Sequence, residues 1–275
     1  MRHARRASVP GVPPTAREKL QSALLAWFAE NGRDLPWRHT RDPYAILVSE
    51  VMLQQTQVAR VLERYPPWLE RWPTATALAA APAADVLRAW SGLGYNRRAL
   101  GLQNAARRVV ELGEFPRTID ELERLPGVGP YTARAIACFA FDAQVTALDT
   151  NVRRVLERSL GTTDAEPPPG RAWHWNQALF DLGAQLCLAR VPRCEACPLA
   201  ASCPSRGQTF APLRRQGRFE GSRRQRRAAL VRELVAGPRT DDGYDRDVVD
   251  SLVADGLAVR RADGLLALPE EVTAP

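Results

Sequence analysis

The sequence predicts an all-α body followed by a small C-terminal module of winged-helix-like type, and three observations lead there. Between 15 and 188, apolar residues recur at helical spacing, and no alternating stretch is long enough to make a strand. Proline and glycine punctuate that region at intervals suited to helix ends. At 205–227 the composition shifts to Arg214, Arg215, Arg218, Arg223, Arg224, Arg226 and Arg227 against the single acid Glu220, which marks a basic linker. A length of 275 residues, at roughly 150 residues per domain, agrees with more than one folded unit.

Thr15 and Glu18 form a capping-box pattern, after which Leu20, Leu24, Trp27 and Phe28 recur at helical spacing until Asn31-Gly32 ends the segment. Asp42-Pro43 opens a second helix, with aspartate as N-cap and proline in the first turn, running through Ile46, Leu47, Glu50, Leu53 and Gln54. Further helices are expected at 59–69, 83–90, 96–111, 118–124, 131–141, 150–159 and 173–188, and the alanine-biased 75–84 is compatible with short ones. Beyond the linker, 228–236 and 247–254 read as helices. Residues 257–260 and 265–268 read as two short strands around an Ala262-Asp263-Gly264 turn. The segment 1–14 carries Arg2, Arg5 and Arg6 with no apolar core of a secretory signal, so it is expected to be a disordered basic arm.

Lys and Arg total 38 against 31 Asp and Glu, for a net charge of +7, a balance that suits a polyanionic partner such as nucleic acid. Lys19 is the single lysine, so nearly all the positive charge is guanidinium. No apolar run is long enough to span a membrane, and the protein is expected in the cytoplasm, associated with the nucleoid. Cys138 sits in an apolar run and reads as a small buried hydrophobe.

Five stretches carry residue types with chemical uses. Leu125-Pro126-Gly127-Val128-Gly129-Pro130-Tyr131 is a glycine-rich turn ahead of a helix, where unobstructed backbone N–H groups and the helix dipole favour a phosphate oxygen. Cys187-x6-Cys194-x2-Cys197-x5-Cys203 brings four thiols close enough to bind tetrahedral zinc or a 4Fe-4S cluster, and spacing alone does not choose between them. Glu50 lies in Ser49-Glu50-Val51-Met52-Leu53-Gln54-Gln55-Thr56-Gln57, preceded by Leu35-Pro36-Trp37-Arg38, and shares its helix face with Ile46, Leu47 and Leu53. Apolar neighbours of that kind raise a carboxyl pKa and make a proton donor at neutral pH. Asp149, in Leu148-Asp149-Thr150-Asn151-Val152, precedes a helix and suits an N-cap. A carboxylate in that place also stays ionised and can stabilise a sugar cation. Ser91-Gly92-Leu93-Gly94-Tyr95-Asn96-Arg97-Arg98 is a glycine loop with an aromatic residue near its tip.

The cysteine spacing resembles the cluster loop of the endonuclease III and MutY family of helix-hairpin-helix DNA glycosylases, and the glycine-rich turn resembles that family's hairpin. The stretches around Glu50 and Tyr95 resemble the MutY-type adenine glycosylase signatures, and the matches run in family order from 16 to 204. Two departures are visible: Thr150 stands where MutY relatives usually have Gly, and Asn96 replaces a second Tyr. The resemblance implies a two-lobed fold. A six-helix lobe at 36–148 would hold the hairpin, and 15–35 with 149–204 would form the cluster lobe. The basic linker at 205–227 and the winged-helix-like module at 228–275 would follow. It further implies a 4Fe-4S cluster on Cys187, Cys194, Cys197 and Cys203. Glu50 is then the catalytic acid and Asp149 the stabiliser of the sugar cation, with Asn151 beside it, the two meeting in the cleft between the lobes. Gln55 and Tyr95 are implied to insert into the DNA stack. Arg38, Leu53, Thr56, Leu93, Gly127, Val128 and Gly129 would be further DNA contacts, and Asp181, on the helix before the cysteines, would sense the adenine edge.

The implied substrate is double-stranded DNA with adenine opposite 8-oxoguanine or guanine, handled by a monomer. Tyr131 occupies the position of the lysine that gives bifunctional relatives their Schiff-base chemistry, so the enzyme is expected to be monofunctional. Region 205–275 shows no signature of the Nudix-like domain of longer MutY proteins. Two rivals remain: a bifunctional endonuclease III-like enzyme, weakened by the absence of any lysine but Lys19, and a non-catalytic DNA-binding regulator with a redox-sensing cysteine cluster. A regulator needs neither Glu50 nor Asp149.

Overall fold

The computed structural model describes residues 15–210 and 217–269. The expected arm at 1–14, and Arg214 and Arg215 of the expected linker, lie outside the described residues. Ten helices precede the cysteine loop: α1 (Ala16–Asn31), α2 (Pro43–Leu53), α3 (Val58–Arg71), α4 (Ala75–Ala79), α5 (Ala83–Trp90), α6 (Arg97–Leu112), α7 (Ile119–Glu123), α8 (Pro130–Phe141), α9 (Thr150–Leu160) and α10 (Ala172–Gln185). The C-terminal module contributes α11 (Arg223–Ala236), β1 (Arg239–Thr240), α12 (Arg246–Ala254), β2 (Val259–Arg260) and β3 (Leu265–Ala267). The described chain divides into two compact units, one within Met1–Arg33 and Gln144–Pro212, the other within Asp34–Ala143 and Leu213–Pro275.

The first unit packs α1, α9 and α10 on one another. Its core is Leu20 and Leu24 from α1, Val152, Val155 and Leu156 from α9, and Trp175, Ala178, Leu179 and Leu182 from α10. The capping box is present as expected: Thr15 Oγ1 accepts from Glu18 N at 3.2 Å while Thr15 N donates to Glu18 Oε2 at 2.7 Å. α10 ends at Gln185 rather than at 188, because Cys187 N donates back to Leu182 O at 2.8 Å, closing the helix and turning the chain into the cysteine loop.

The second unit is built around α2, which packs against α3, α6 and α8. Every residue from Tyr44 to Met52 is buried, and a helix apolar on nearly all sides has to be central. Asp42 caps it as expected, accepting from Tyr44 N at 3.1 Å and Ala45 N at 3.3 Å. Edge-on aromatic pairs, Trp68 with Trp72 and Trp90, extend this core.

In the C-terminal module, α11 and α12 pack together beside a three-stranded antiparallel sheet ordered β1-β3-β2. The expected hairpin is β2 with β3, and β1 is an additional strand that two residues of pattern could not announce. α11 begins at Arg223, a turn ahead of the expected start and inside the expected linker, because Ser222 caps it by accepting from Gln225 N at 3.2 Å. The module rests on α5 through α11, and Asp255 pairs with Arg97 at the start of α6, 3.5 Å apart. No helix among the described residues is long and apolar enough to cross a membrane.

Candidate active site

Glu50 sits two-thirds of the way along α2 and is only 5% exposed. Its neighbours along the helix, Ile46, Leu47, Val51 and Met52, are also buried, so Glu50 is not a surface acid on an amphipathic helix. α8, which begins with the residues next to Tyr131, packs directly against α2.

Past the end of α2, the chain turns sharply. Gln55 has φ 55° and Tyr95, in the loop before α6, has φ 48°. Both are non-glycine residues in the left-handed region, where a side chain is strained. Gln55 is exposed and Tyr95 is 43% exposed, so both expected wedge residues present their side chains to solvent. Leu53 and Thr56 are half-buried, as is Arg38. Leu93 is 3% exposed and packs into the core. It anchors the loop that carries Tyr95.

The two loops are tied by one side chain that sequence reading passed over. Arg98 Nη1 donates to Val51 O at 2.8 Å, Met52 O at 3.2 Å and Gln54 O. Arg98 Nη2 donates to Thr56 Oγ1 at 3.0 Å, Leu93 O at 3.1 Å and Gly94 O at 3.0 Å. Burial pulls its pKa down to about 10, which leaves it charged at neutral pH.

α7 and α8 pack as a helical pair around the glycine turn. Leu125 and Val128 are buried and fix the turn, while Gly127 and Gly129 are exposed. Gly127 has φ +77°, a conformation that glycine takes without strain. The turn therefore offers backbone rather than side chains, as a phosphate site requires. Tyr131 is half-buried in the first turn of α8.

In the first unit, Asp149 is the N-cap of α9: Oδ1 accepts from Val152 N at 2.6 Å, and Oδ2 accepts from Asn151 Nδ2 at 3.0 Å. The capping and chemical roles are compatible, since both need a carboxylate at a helix N-terminus. Asn151 Oδ1 in turn accepts from Arg154 Nη2 at 2.8 Å, and Arg154 Nε donates to Cys187 O at 2.7 Å. A continuous hydrogen-bonded path thus runs from the Asp149 carboxylate to the backbone of the first cysteine. The chain entering Asp149 is fixed by Asn176 of α10, fully buried, whose Oδ1 accepts from Ala147 N at 2.7 Å and whose Nδ2 donates to Val145 O at 2.9 Å. Gly183 lets α10 approach: a Cβ there would stand 2.9 Å from Asn151 Cβ. The matching motifs contained Asn176 and Gly183, but only the packing of α10 on α9 shows what they do.

Asp181, on α10, has no exposed surface; its Oδ2 accepts from Arg33 N at 2.8 Å and its Oδ1 from Arg33 Nε at 2.8 Å. A carboxylate so enclosed ties the segment after α1 to α10.

The four cysteines of the loop line one cavity, together with Arg158, Leu186, Pro192 and Arg206. Among the described residues no His, Cys, Asp and Glu side chains draw together as a group fit for a single metal ion. Burial pushes the Cys197 and Cys203 thiols up, and the charges of the other cysteines add to it. Arg158, 8% exposed, anchors the loop: it donates to Leu188 O and Ala189 O at 2.7 Å, and its Nη1 lies 3.6 Å from Cys187 Sγ. Its other face stacks on Phe210, 3.6 Å from the ring centre.

The description "HhH-GPD superfamily base excision DNA repair protein" matches residues 48–172, a span that includes Glu50, both exposed loops, the glycine turn and Asp149. The chain is 45% identical over 282 residues to the adenine DNA glycosylase of Mycolicibacterium smegmatis, covering 90% of this chain and 95% of that protein. A solved thermostable thymine-DNA glycosylase is similar with a TM-score of 0.64 at 30% identity, over 69% of this chain and 95% of that one. A non-covalent endonuclease III–DNA complex gives 0.59 at 25% identity, over 68% and 95%.

Proposed function

The chain belongs to the adenine DNA glycosylase family, within the base-excision repair proteins of the HhH-GPD superfamily, and on that premise we propose that it releases adenine from double-stranded DNA in which the base opposite is 8-oxoguanine or guanine, without cutting the strand. The observation that carries the reading is the buried Glu50 carboxyl on an otherwise apolar helix. A carboxyl so desolvated favours its neutral form and can donate a proton.

Glu50 protonates N7 of the flipped adenine, the N-glycosidic bond breaks with its electrons leaving on the base, and Asp149 stabilises the sugar cation left behind. Water then adds at the anomeric carbon, gives up a proton that restores the Glu50 carboxyl, and yields an abasic site. Flipping costs a few kcal/mol of stacking, which insertion of Gln55 and Tyr95 helps to offset. The backbone of Gly127, Val128 and Gly129 and the side chains of Arg38 and Thr56 hold the DNA, and Asn151 steadies Asp149. Tyr131 is a phenol where strand cleavage would need an amine, and Lys19 is exposed on α1. The protein acts as a monomer on DNA in the cytoplasm.

Cys187, Cys194, Cys197 and Cys203 would hold a 4Fe-4S cluster. The four thiols line one cavity, and the loop has one Cys-x2-Cys pair where zinc ribbons usually show two, which supports a cluster over zinc. Bound there, the cluster would supply a structural pin for the loop, which carries Arg190 and Arg193, two cations suited to DNA phosphate.

Single-turnover rates on duplexes carrying A:8-oxoguanine, A:G, A:T and T:G test the proposal. Adenine should leave the first two fastest. Release of thymine from T:G in preference to adenine would overturn it.

A further inference from the structure

We infer that Arg98 is a positioning residue for this reaction: it holds the exposed tips Gln55 and Tyr95 in the conformation that enters the DNA stack. The inference rests on the proposed function for what the tips do, and on the structure for how they are held.

Gln55 and Tyr95 are two of the three non-glycine residues with positive φ among the described residues. Such backbones persist only where the surroundings over-determine them. The constraint comes from the flanks. On one side, Gln54 O and Thr56 Oγ1, the neighbours of Gln55, both accept from the Arg98 guanidinium. On the other, Leu93 O and Gly94 O, just before Tyr95, accept from its Nη2. The guanidinium also lies 5.5 Å from the Tyr95 ring centre and 5.3 Å from that of Trp90, whose Nε1 donates to Gly94 O at 3.0 Å. One planar group thus locks two loops that are far apart in sequence. Thr56 Oγ1, 3.3 Å from Leu93 O, adds a second, weaker tie. Lysine, with a compact ammonium and no fork, cannot bridge both loops at once.

The test compares Arg98→Lys in the wild-type protein and in a Gln55→Ala/Tyr95→Ala background, in single-turnover excision from an A:8-oxoguanine duplex. Arg98→Lys should slow excision about tenfold in the wild type and less than about twofold where the tips are already gone, because coupled residues are not additive. With 2-aminopurine beside the mispair, the fluorescence rise on binding should fall in Arg98→Lys. Arg98→Gln, which drops the charge and most of the fork, should move duplex excision the same way and keeps the test sound if Arg98→Lys folds poorly. Equal losses in both backgrounds, or an unchanged duplex rate in both variants, would overturn the inference. A wild type inactive on every adenine duplex would instead overturn the proposed function.

Discussion

Burying a carboxyl such as that of Glu50 costs free energy that packing alone does not return. Glu50→Gln keeps the shape and removes the transferable proton. The variant should be as stable as the wild type or more so in thermal melts, should bind duplex DNA, and should lose at least about a hundredfold in excision. Asp149 admits a sharper test, because asparagine caps a helix about as well as aspartate. Asp149→Asn should therefore melt within about 0.5 kcal/mol of the wild type yet excise adenine at least about a hundredfold more slowly. A mild effect on excision would leave Asp149 with the capping role only. Sequence reading singled out both carboxylates because each sits in a distinctive local pattern. It missed Arg98, because an arginine beside another arginine at a helix start looks like a solvated charge, and its partners at Val51, Gln54 and Leu93 meet it only in three dimensions. It also missed the pairing of Asp181 with Arg33, since nothing local announces it.

Helix α10 shows how one element sets the position of another's carboxylate. It aligns the approach to Asp149 through Asn176 and accommodates Asn151 at Gly183. Gly183→Ala puts a methyl 2.9 Å from Asn151 Cβ and should cost about 1–3 kcal/mol of stability, read by chemical denaturation, with a loss of excision as the Asp149–Asn151 contact shifts. The cysteine loop is the second such element. Purified protein should contain iron and sulfide with a visible absorbance that Cys194→Ser abolishes. Stoichiometric zinc without iron would contradict the cluster assignment. Long helices with caps, α1, α2 and α9, were legible because capping box, Asp-Pro and Asp-x-x patterns are local. The two-residue strand β1 and the early start of α11 were not, because a short strand is defined by its partner β3 and a charged first turn by its cap at Ser222.

At the scale of the molecule, the two carboxylates of the proposed chemistry lie in different compact units, Glu50 in the unit around α2 and Asp149 in the unit around α9. In the C-terminal module, much of the arginine charge is matched internally: Arg226 by Asp245, Arg227 by Asp255, and Arg260 by Asp241 and Asp250. Such pairing fits a brace on α5 and α6 better than a surface that reads DNA. The basic composition is carried by arginine, with Lys19 the single lysine, and an arginine-rich chain can hold phosphates while lacking the amine that cleaves a strand. The most direct test incubates the wild-type protein, in excess, with an end-labelled A:8-oxoguanine duplex, with and without borohydride. The account predicts free adenine, a labelled strand that stays intact until alkali is added, and no covalent adduct. Strand scission without alkali, a trapped protein–DNA adduct, or no adenine release would contradict it.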